Sequence, residues 1–309
     1  MPTIKDVARK AGVSVGTVSR YLNGAALKLE SRQRVEVAIS ALGYRRNALA
    51  RSMKTGRSML VGVIVPGLAN MFSMRVIEGL ERALEEHGFS VLISDCGSDP
   101  DKELSKIALL RERRADGLIL MPSGQDAQAV LRRAGPMPVV LIDRTMDEDL
   151  FDSVLVENEA GACRIVRDAI ALGVRRPGMI AGPESVQTAR ERAAGFRRAL
   201  AEAGLACAGV AQGDYTVESG RACMEELLEM GVDAVFAANH ELTVGALSVA
   251  RGRDVRVIGF DGMELQALCG ERLLSLSQPM EAIGRTAAEL LMVRIQTPGA
   301  PVRCVRLPL

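Results

Sequence analysis

The side chains able to act as nucleophiles, metal ligands or proton carriers are few, and their spacing suits no catalytic machinery. The chain has only two histidines, His87 and His240, and six cysteines: Cys96, Cys163, Cys207, Cys223, Cys269 and Cys304. No two cysteines form a C-x-x-C pair, so they read as scattered reduced thiols of a cytoplasmic protein rather than a zinc site or a disulfide framework. No G-x-G-x-x-G follows the first apolar strand, and neither a Walker lysine motif nor H-E-x-x-H occurs. An enzyme on a Rossmann-like scaffold would need one of these, so the expectation is no catalysis, no cofactor and no metal. What remains is charge. Residues 1–57 carry twelve basic side chains against Asp6, Glu30 and Glu36, a net of +9, whereas the other 252 residues sum to −8. A basic head on an acidic body is the footprint of a nucleic-acid module joined to something else.

The elements that would position those charges are short helices. Apolar residues at Ile4, Val7, Ala8 and Ala11 form a helical stripe after Thr3, a capping residue with Asp6 three positions on. Gly12 supplies a tight turn. Ser14 then caps a second helix running through Val15 to about Leu22, where Val18 and Leu22 face inward and Val15, Gly16, Thr17, Ser19 and Arg20 face outward. A third helix is expected from a Ser31 cap through Val35, Ala38, Ile39 and Leu42 to Gly43. Two helices joined by a glycine turn and braced by a third make an all-α helix-turn-helix unit, its second helix free to enter a major groove.

The runs Thr3-Ile4-Lys5-Asp6-Val7-Ala8, Ala11-Gly12-Val13-Ser14, Thr17-Val18-Ser19-Arg20 and Leu22-Asn23 resemble the headpiece of the lactose-repressor (LacI/GalR) family. Leu42-Gly43-Tyr44 and Asn47-Ala48-Leu49-Ala50-Arg51-Ser52 carry the likeness into that family's hinge helix. The resemblance implies that Val15, Gly16 and Arg20 meet base edges. Arg20 can fork to guanine, Val15 can touch a thymine methyl, and Gly16 offers no side chain. Ser14, Thr17, Ser19 and Asn23 suit phosphate contacts, and Thr3 is counted among the DNA-binding residues. In the hinge, Asn47, Ala48, Leu49, Ala50, Met53 and Lys54 are the implied DNA contacts, with Met53 in the place of a leucine that wedges between central base pairs. Arg46 stands where the family carries a proline.

From Met59 onward, apolar runs (Met59–Val65, Val91–Ile93, Gly117–Met121, Val139–Ile142) alternate with amphipathic helical stretches, and the pattern restarts after about Arg164. This predicts two doubly wound parallel α/β lobes with a cleft at their strand ends. The resemblance implies a periplasmic-binding-protein-like body in which the chain crosses between lobes near Val156, Leu276 and Ile295. The expected domains are 1–46 for the headpiece, 47–57 for hinge helix and linker, and 58–309 for effector binding and dimerisation. Within the last, the first lobe takes about 58–156 and 277–295, and the second about 157–276 and 296–309.

Cleft residues follow from local motifs that resemble the family's. Leu141-Ile142-Asp143-Arg144 supplies Asp143 and Arg144, Ala189–Phe196 supplies Arg192, and Ala238-Asn239 supplies Asn239, with His240 replacing an aspartate. Ile258-Gly259-Phe260-Asp261 supplies Asp261, and Ser277-Gln278-Pro279 supplies Gln278. Asn70 and Phe72 take the first lobe's amide and ring positions, with Ser73 where a second ring is usual, and Tyr215 takes the position of a stacking aromatic. Two arginines, two aspartates and two carboxamides pair with vicinal hydroxyls, while two rings cover an apolar sugar face. A monosaccharide such as ribose is therefore the expected effector. A purine is disfavoured, because that branch's base-reading arginine falls at Val186. His240 is expected to be structural or to lie on a dimer surface.

No run approaches the roughly 18 apolar residues of a membrane span, and the N-terminus has no apolar signal core. The last residues, Val305-Arg306-Leu307-Pro308-Leu309, stop where relatives add one more strand, and no leucine-heptad tail for tetramerisation follows, so a homodimer on a palindromic double-stranded operator is expected. A transport binding protein would need an export signal and would have no use for a basic helix-turn-helix. A catabolite-control regulator with a phosphoprotein co-regulator is the alternative within the same class.

Overall fold

The computed structural model describes residues 2–22, 25–44, 56–124, 126–146 and 150–309. It divides into two compact units, Met1–Ser58 and Met59–Leu309. In the first unit, α1 (Ile4–Ala11), α2 (Val15–Leu22) and α3 (Leu29–Leu42) close around Val7, Ala8, Ala11, Val18, Val35 and Ala38. Caps at the start and end of α1 and at the start of α2 support this small core. Thr3 and Asp6 form a reciprocal capping box, Gly12 closes α1 in the left-handed region at φ 62°, and the Ser14 hydroxyl accepts from Thr17 N at 3.1 Å. The α3 helix starts two residues before the expected Ser31 cap, at Leu29, and its N-cap Lys28 makes no side-chain cap bond. Glu30 in the first turn offsets the exposed positive helix end instead.

In the second unit, β1 (Leu60–Val65), β2 (Ser90–Asp95), β3 (Gly117–Leu120), β4 (Val139–Ile142) and β5 (Asp152–Val156) alternate with α4 (Met71–Glu86), α5 (Pro100–Glu112) and α6 (Ala127–Ala134). They form a parallel sheet of order β11-β5-β4-β3-β1-β2, in which β11 is Cys304–Leu307. The chain then enters a second lobe through α7 (Asn158–Ala171), β6 (Pro177–Ala181), α8 (Gln187–Ala203), β7 (Gly209–Gln212), α9 (Val217–Glu229), β8 (Ala234–Ala237), α10 (His240–Ala250), β9 (Arg256–Phe260), α11 (Met263–Cys269) and β10 (Leu273–Leu276). That sheet has the order β10-β9-β8-β6-β7, and all its pairings are parallel. Central strands such as Gly117–Leu120 and Ala234–Ala237 are buried throughout, which is why they read as unbroken apolar runs without alternation.

The last helix, α12 (Met280–Gln296), returns the chain to the first lobe and packs along α4. The two backbones touch: a Cβ built on Gly284 would sit 2.2 Å from the Val76 carbonyl oxygen, and one on Gly79 would sit 2.6 Å from that of Glu281. Only glycine permits this approach.

The expected third crossing near Ile295 is corrected. Residues 296–309 do not join the second sheet, because Cys304–Leu307 pairs in parallel register with Ser153–Val156 of the first. Arg294 explains this. Its guanidinium forks onto buried Asp152 at 2.9 Å for each oxygen and also donates to the Pro298, Ala300 and Pro301 carbonyls. Asp152 accepts in addition from Arg303 N at 2.8 Å, so one ion pair gathers the whole turn before β11. Two residues of this tail still reach the second lobe: Leu309 packs against the apolar clusters of both lobes, and Arg306 pairs with Glu191 of α8 at 3.9 Å.

Among the described residues, no helix is long and apolar enough to cross a membrane, and no cluster of His, Cys, Asp or Glu has the geometry to hold a metal ion.

Replacing Arg294 by alanine leaves the Asp152 charge buried without its partner, which costs about 3–5 kcal/mol. The variant is expected to lower the urea midpoint of the second unit and to open residues 297–303 to proteolysis. An unchanged midpoint and digestion pattern would show that the pair does not anchor β11.

Candidate nucleic-acid interface and effector cleft

In the first unit, α2 presents Val15 at 42% exposure, with Gly16 and Arg20 also exposed. Thr17 and Ser19 are half-buried, a correction to their expected outward position: Thr17 turns its hydroxyl to Ser14 Oγ at 2.9 Å. Behind this face, Glu36 of α3 accepts from Tyr21 Oη at 3.0 Å and from Arg32 Nε at 2.8 Å, tying α2 to its support. Thr3 is committed to its capping box, with its backbone N–H donating to Asp6 at 2.9 Å. Asn23, Asn47, Ala48, Leu49, Ala50, Met53 and Lys54 lie outside the described residues, as does the expected hinge helix.

In the second unit, one cavity of about 630 Å³ lies at the strand ends between the lobes, and all nine candidate cleft residues line it: Asn70, Phe72, Asp143, Arg144, Arg192, Tyr215, Asn239, Asp261 and Gln278. The backbone explains how they converge. Asp143 directly follows β4 and Asp261 directly follows β9, at φ 68° and 63°. Each donates its N–H to the neighbouring strand, Asp143 to Val154 O at 3.0 Å and Asp261 to Leu276 O at 2.7 Å. The two positions are equivalent in the two lobes, so each sheet turns one carboxylate into the cleft. The left-handed conformation costs aspartate less than most residues, and such strain collects at functional sites.

A second equivalent pair follows β2 and β7. Ser98 (φ 57°) and Tyr215 (φ 68°) each come three residues after a strand and one before a helix cap, Asp99 or Thr216. Both line the cavity. Tyr215 packs its ring so closely on Gly182 that a Cβ there would sit 2.3 Å from the ring, and its buried hydroxyl has no hydrogen-bond partner. Burial pushes this phenol up from its ordinary value.

The charged groups are held by neighbours. Arg192, 4% exposed, donates to Asn158 Oδ1 at 2.9 Å and to the Ala238 carbonyl at 2.7 Å, and its guanidinium lies 3.8 Å from the centre of the Phe260 ring. Asp261 accepts from Gln278 N at 3.0 Å and from Gln278 Nε2 at 2.5 Å, which leaves Gln278 Oε1 buried without a donor. Burial pushes the Asp261 carboxyl above the ordinary carboxylate range, with Arg192 working against the rise. Arg144 pairs with Asp143 at 3.1 Å and donates to the Pro122 carbonyl at 3.2 Å. Asn70 caps α4 through Ser73 N at 3.0 Å, and Asn239 caps α10 through Leu242 N at 2.9 Å.

Glu241 is the residue that sequence reasoning missed. Its two oxygens accept from Asn70 Nδ2 of the first lobe at 2.9 Å and from Asn239 Nδ2 at 2.5 Å, and burial pushes its carboxyl up. A carboxylate in the first turn, two residues after the capping Asn239, was the available signal. His240, expected away from the cleft, opens α10 on the cavity wall. The Ser73 hydroxyl, on the cavity wall, donates to Asn70 Oδ1 at 3.5 Å and to Met121 Sδ at 3.8 Å.

A helix-turn-helix unit followed by two parallel α/β lobes around a polar cleft defines a ligand-responsive regulator. Residues 3–47 match the family model of bacterial regulatory proteins, lacI family, and residues 58–308 match that of periplasmic binding proteins and the sugar-binding domain of the LacI family. The chain belongs to the LacI family: it is a DNA-binding transcriptional repressor with a ligand-binding domain. It is 32% identical over 320 residues to catabolite control protein A of Priestia megaterium, covering 99% of this chain and 96% of that one. Among solved structures, it is similar to the Lac repressor dimer bound to operator and the anti-inducer ONPF, with a TM-score of 0.85, 27% identity, and coverage of 99% and 96% of the two chains. It also resembles the transcriptional regulator CelR in complex with cellobiose, with a TM-score of 0.74, 32% identity, and coverage of 100% and 97%.

The Asp261 shift predicts a pH dependence. A carboxyl raised in the fold binds its proton more tightly there than in the unfolded chain. Its contribution to stability is therefore full below the unfolded value, about 4, and is lost as pH rises through the folded one. Asp261→Asn, with the Gln278 amide turned so that its unpaired oxygen accepts, should flatten this fall and raise Tm at neutral pH without effector. Parallel melting curves of wild type and variant from pH 4 to 8 are the check, and a lower Tm for the variant at pH 8 would reverse the argument.

Proposed function

We propose that this protein binds an inverted-repeat operator as a homodimer, and that a neutral saccharide held between its lobes, a monosaccharide such as ribose or a related sugar, changes that affinity. The observation that carries the reading is the convergence of nine residues, distant in sequence and drawn from both lobes, on one cavity. Paired donors and acceptors from Asp143, Arg144, Arg192, Asn239 and Asp261, with Phe72 and Tyr215 beside them, match vicinal hydroxyls on a ring with apolar faces. The likeness to the CelR–cellobiose complex supports a saccharide, and that to the Lac repressor dimer on its operator supports a dimeric DNA complex. The exposed face of α2 supports direct readout by Val15 and Arg20.

The effector acts only through its differential affinity for two arrangements of the lobes. Residues 47–54 are the proposed switch: a helix this short is marginal alone in water, so partner subunit and minor groove together must hold it. A second reading, control of the catabolite type with a phosphoprotein co-regulator, draws on the identity with catabolite control protein A. Full release or tightening by a small molecule alone in a purified system separates the first reading from the second.

Arg20→Ala should cost about 1–3 kcal/mol of operator affinity and relax one base position, whereas Lys54→Ala should weaken all sequences alike. Competition footprinting on half-site variants measures both, and a preference for one asymmetric half-site would refute the dimeric operator. Asp261→Ala should abolish the effector response while the effector-free variant still binds operator. Calorimetry giving an unchanged sugar affinity would remove Asp261 from the site. Cysteines introduced at Leu49 and oxidised across the dimer should make operator binding insensitive to effector, and a crosslinked dimer that responds as fully as the reduced one would exclude the hinge as the switch.

A further inference from the structure

The cleft is rich in acceptors and poor in available cations. Five carboxyls line it, Asp214 and Glu218 of them exposed, against the guanidinium groups of Arg144 and Arg192 and the imidazole of His240 beside Glu241. Both guanidiniums are already engaged. Arg144 is paired to Asp143 with little exposure, and Arg192 is buried against Phe260 with hydrogen bonds to Asn158 and the Ala238 carbonyl. Glu241, by contrast, has amides for partners, one from each lobe, and neither brings a positive charge to its carboxylate.

An independent feature points the same way. Gln278 is 7% exposed and lines the cavity, and its Nε2 is fixed by the acceptor-only Asp261 carboxylate. Its Oε1 is left buried with no donor. A buried orphan acceptor is costly unless something brings a donor to it, and here that something must enter the cleft.

Resting on the saccharide reading above, the geometry points to an effector that carries hydroxyl or amino donors and no anionic group, with Glu241 as the residue that rejects phosphorylated and carboxylated sugars. A neutral sugar replaces the Asn70–Glu241 hydrogen bond with its own hydroxyls, and a further hydroxyl donates to Gln278 Oε1. A phosphate brings acceptors only, with about two negative charges, into a cleft already lined by carboxylates. Like charges there repel strongly, and the two engaged arginines would have to abandon existing partners to compensate.

The test is calorimetry on the full-length protein with ribose, glucose, glucosamine and cellobiose against ribose 5-phosphate and glucose 6-phosphate. The wild type should favour a neutral or amino sugar over its phosphate by at least about 100-fold, and Glu241→Gln should narrow that ratio by about tenfold. Glu241→Asp, which keeps the charge, should retain most of the discrimination and controls for a merely misfolded glutamine variant. A phosphorylated sugar that binds the wild type as tightly as its parent would overturn the charge inference and leave the saccharide reading standing. An unchanged ratio in Glu241→Gln would remove Glu241 from that role. If no compound in the panel binds, the saccharide reading itself fails, and this inference with it.

Discussion

The effector domain is organised around the cost of burying Asp261. Moving a carboxylate out of water costs several kcal/mol even after relaxation, unless a counter-charge and hydrogen bonds are supplied. Here the counter-charge is Arg192, and the hydrogen bonds come from both the backbone and the side chain of Gln278. Arg192 is itself buried and requires Asn158, the Ala238 carbonyl and the Phe260 ring. One charge thus recruits residues from α7, α8 and β9 and from the segments after β8 and β10. Burial still pushes the Asp261 carboxyl above the ordinary range, with Arg192 and Gln278 working against that rise.

The lobes are bridged by polar contacts on the same networks. Asn70 of the first lobe donates to Glu241 of the second, and Thr145 N donates to Gln187 Oε1 at 3.0 Å. Gln187 continues through Glu191 to Asn158, and so to Arg192. A molecule that replaces any of these contacts alters the relation of the lobes as well as filling the cavity. This is the physical basis on which binding in the cleft can bias a switch elsewhere. Left-handed residues recur at equivalent strand ends of the two sheets, Asp143 with Asp261 and Ser98 with Tyr215, and all four line the one cavity.

The first unit works by a different economy. Its core is six small apolar residues, so helix caps and the Tyr21–Glu36–Arg32 link carry an unusual share of its order. Partly buried Ile4, Val13, Tyr21, Leu22, Ile39, Leu42 and Tyr44 pack against this core, and the net charge of residues 1–57 is +9. Electrostatic attraction to phosphate is thereby separated from the effector domain, whose net charge is opposite.

Local patterns in the sequence determined the elements and their class. The stripe at Ile4, Val7, Ala8 and Ala11, the cap residues Thr3 and Ser14, and the unbroken apolar strands each express short-range chemistry, and their helices and strands lie where that chemistry puts them. The candidate cleft residues were legible through motifs that resemble the family's; Asp143 and Asp261 stand at strand ends, where the strand itself positions the next residue, whereas Arg192 and Phe72 lie within helices. Tertiary structure alone decided three matters. It carried β11 to the first sheet, since the pairing of Arg294 with Asp152 joins residues 142 positions apart and overrides any reading of the last strand in isolation. It brought Glu241 against Asn70, 171 positions away, and made an ordinary helix-surface glutamate part of the site. It also left Gln278 Oε1 without a donor, because hydrogen-bond satisfaction depends on every group that reaches a buried point, and no local stretch of sequence encodes that set.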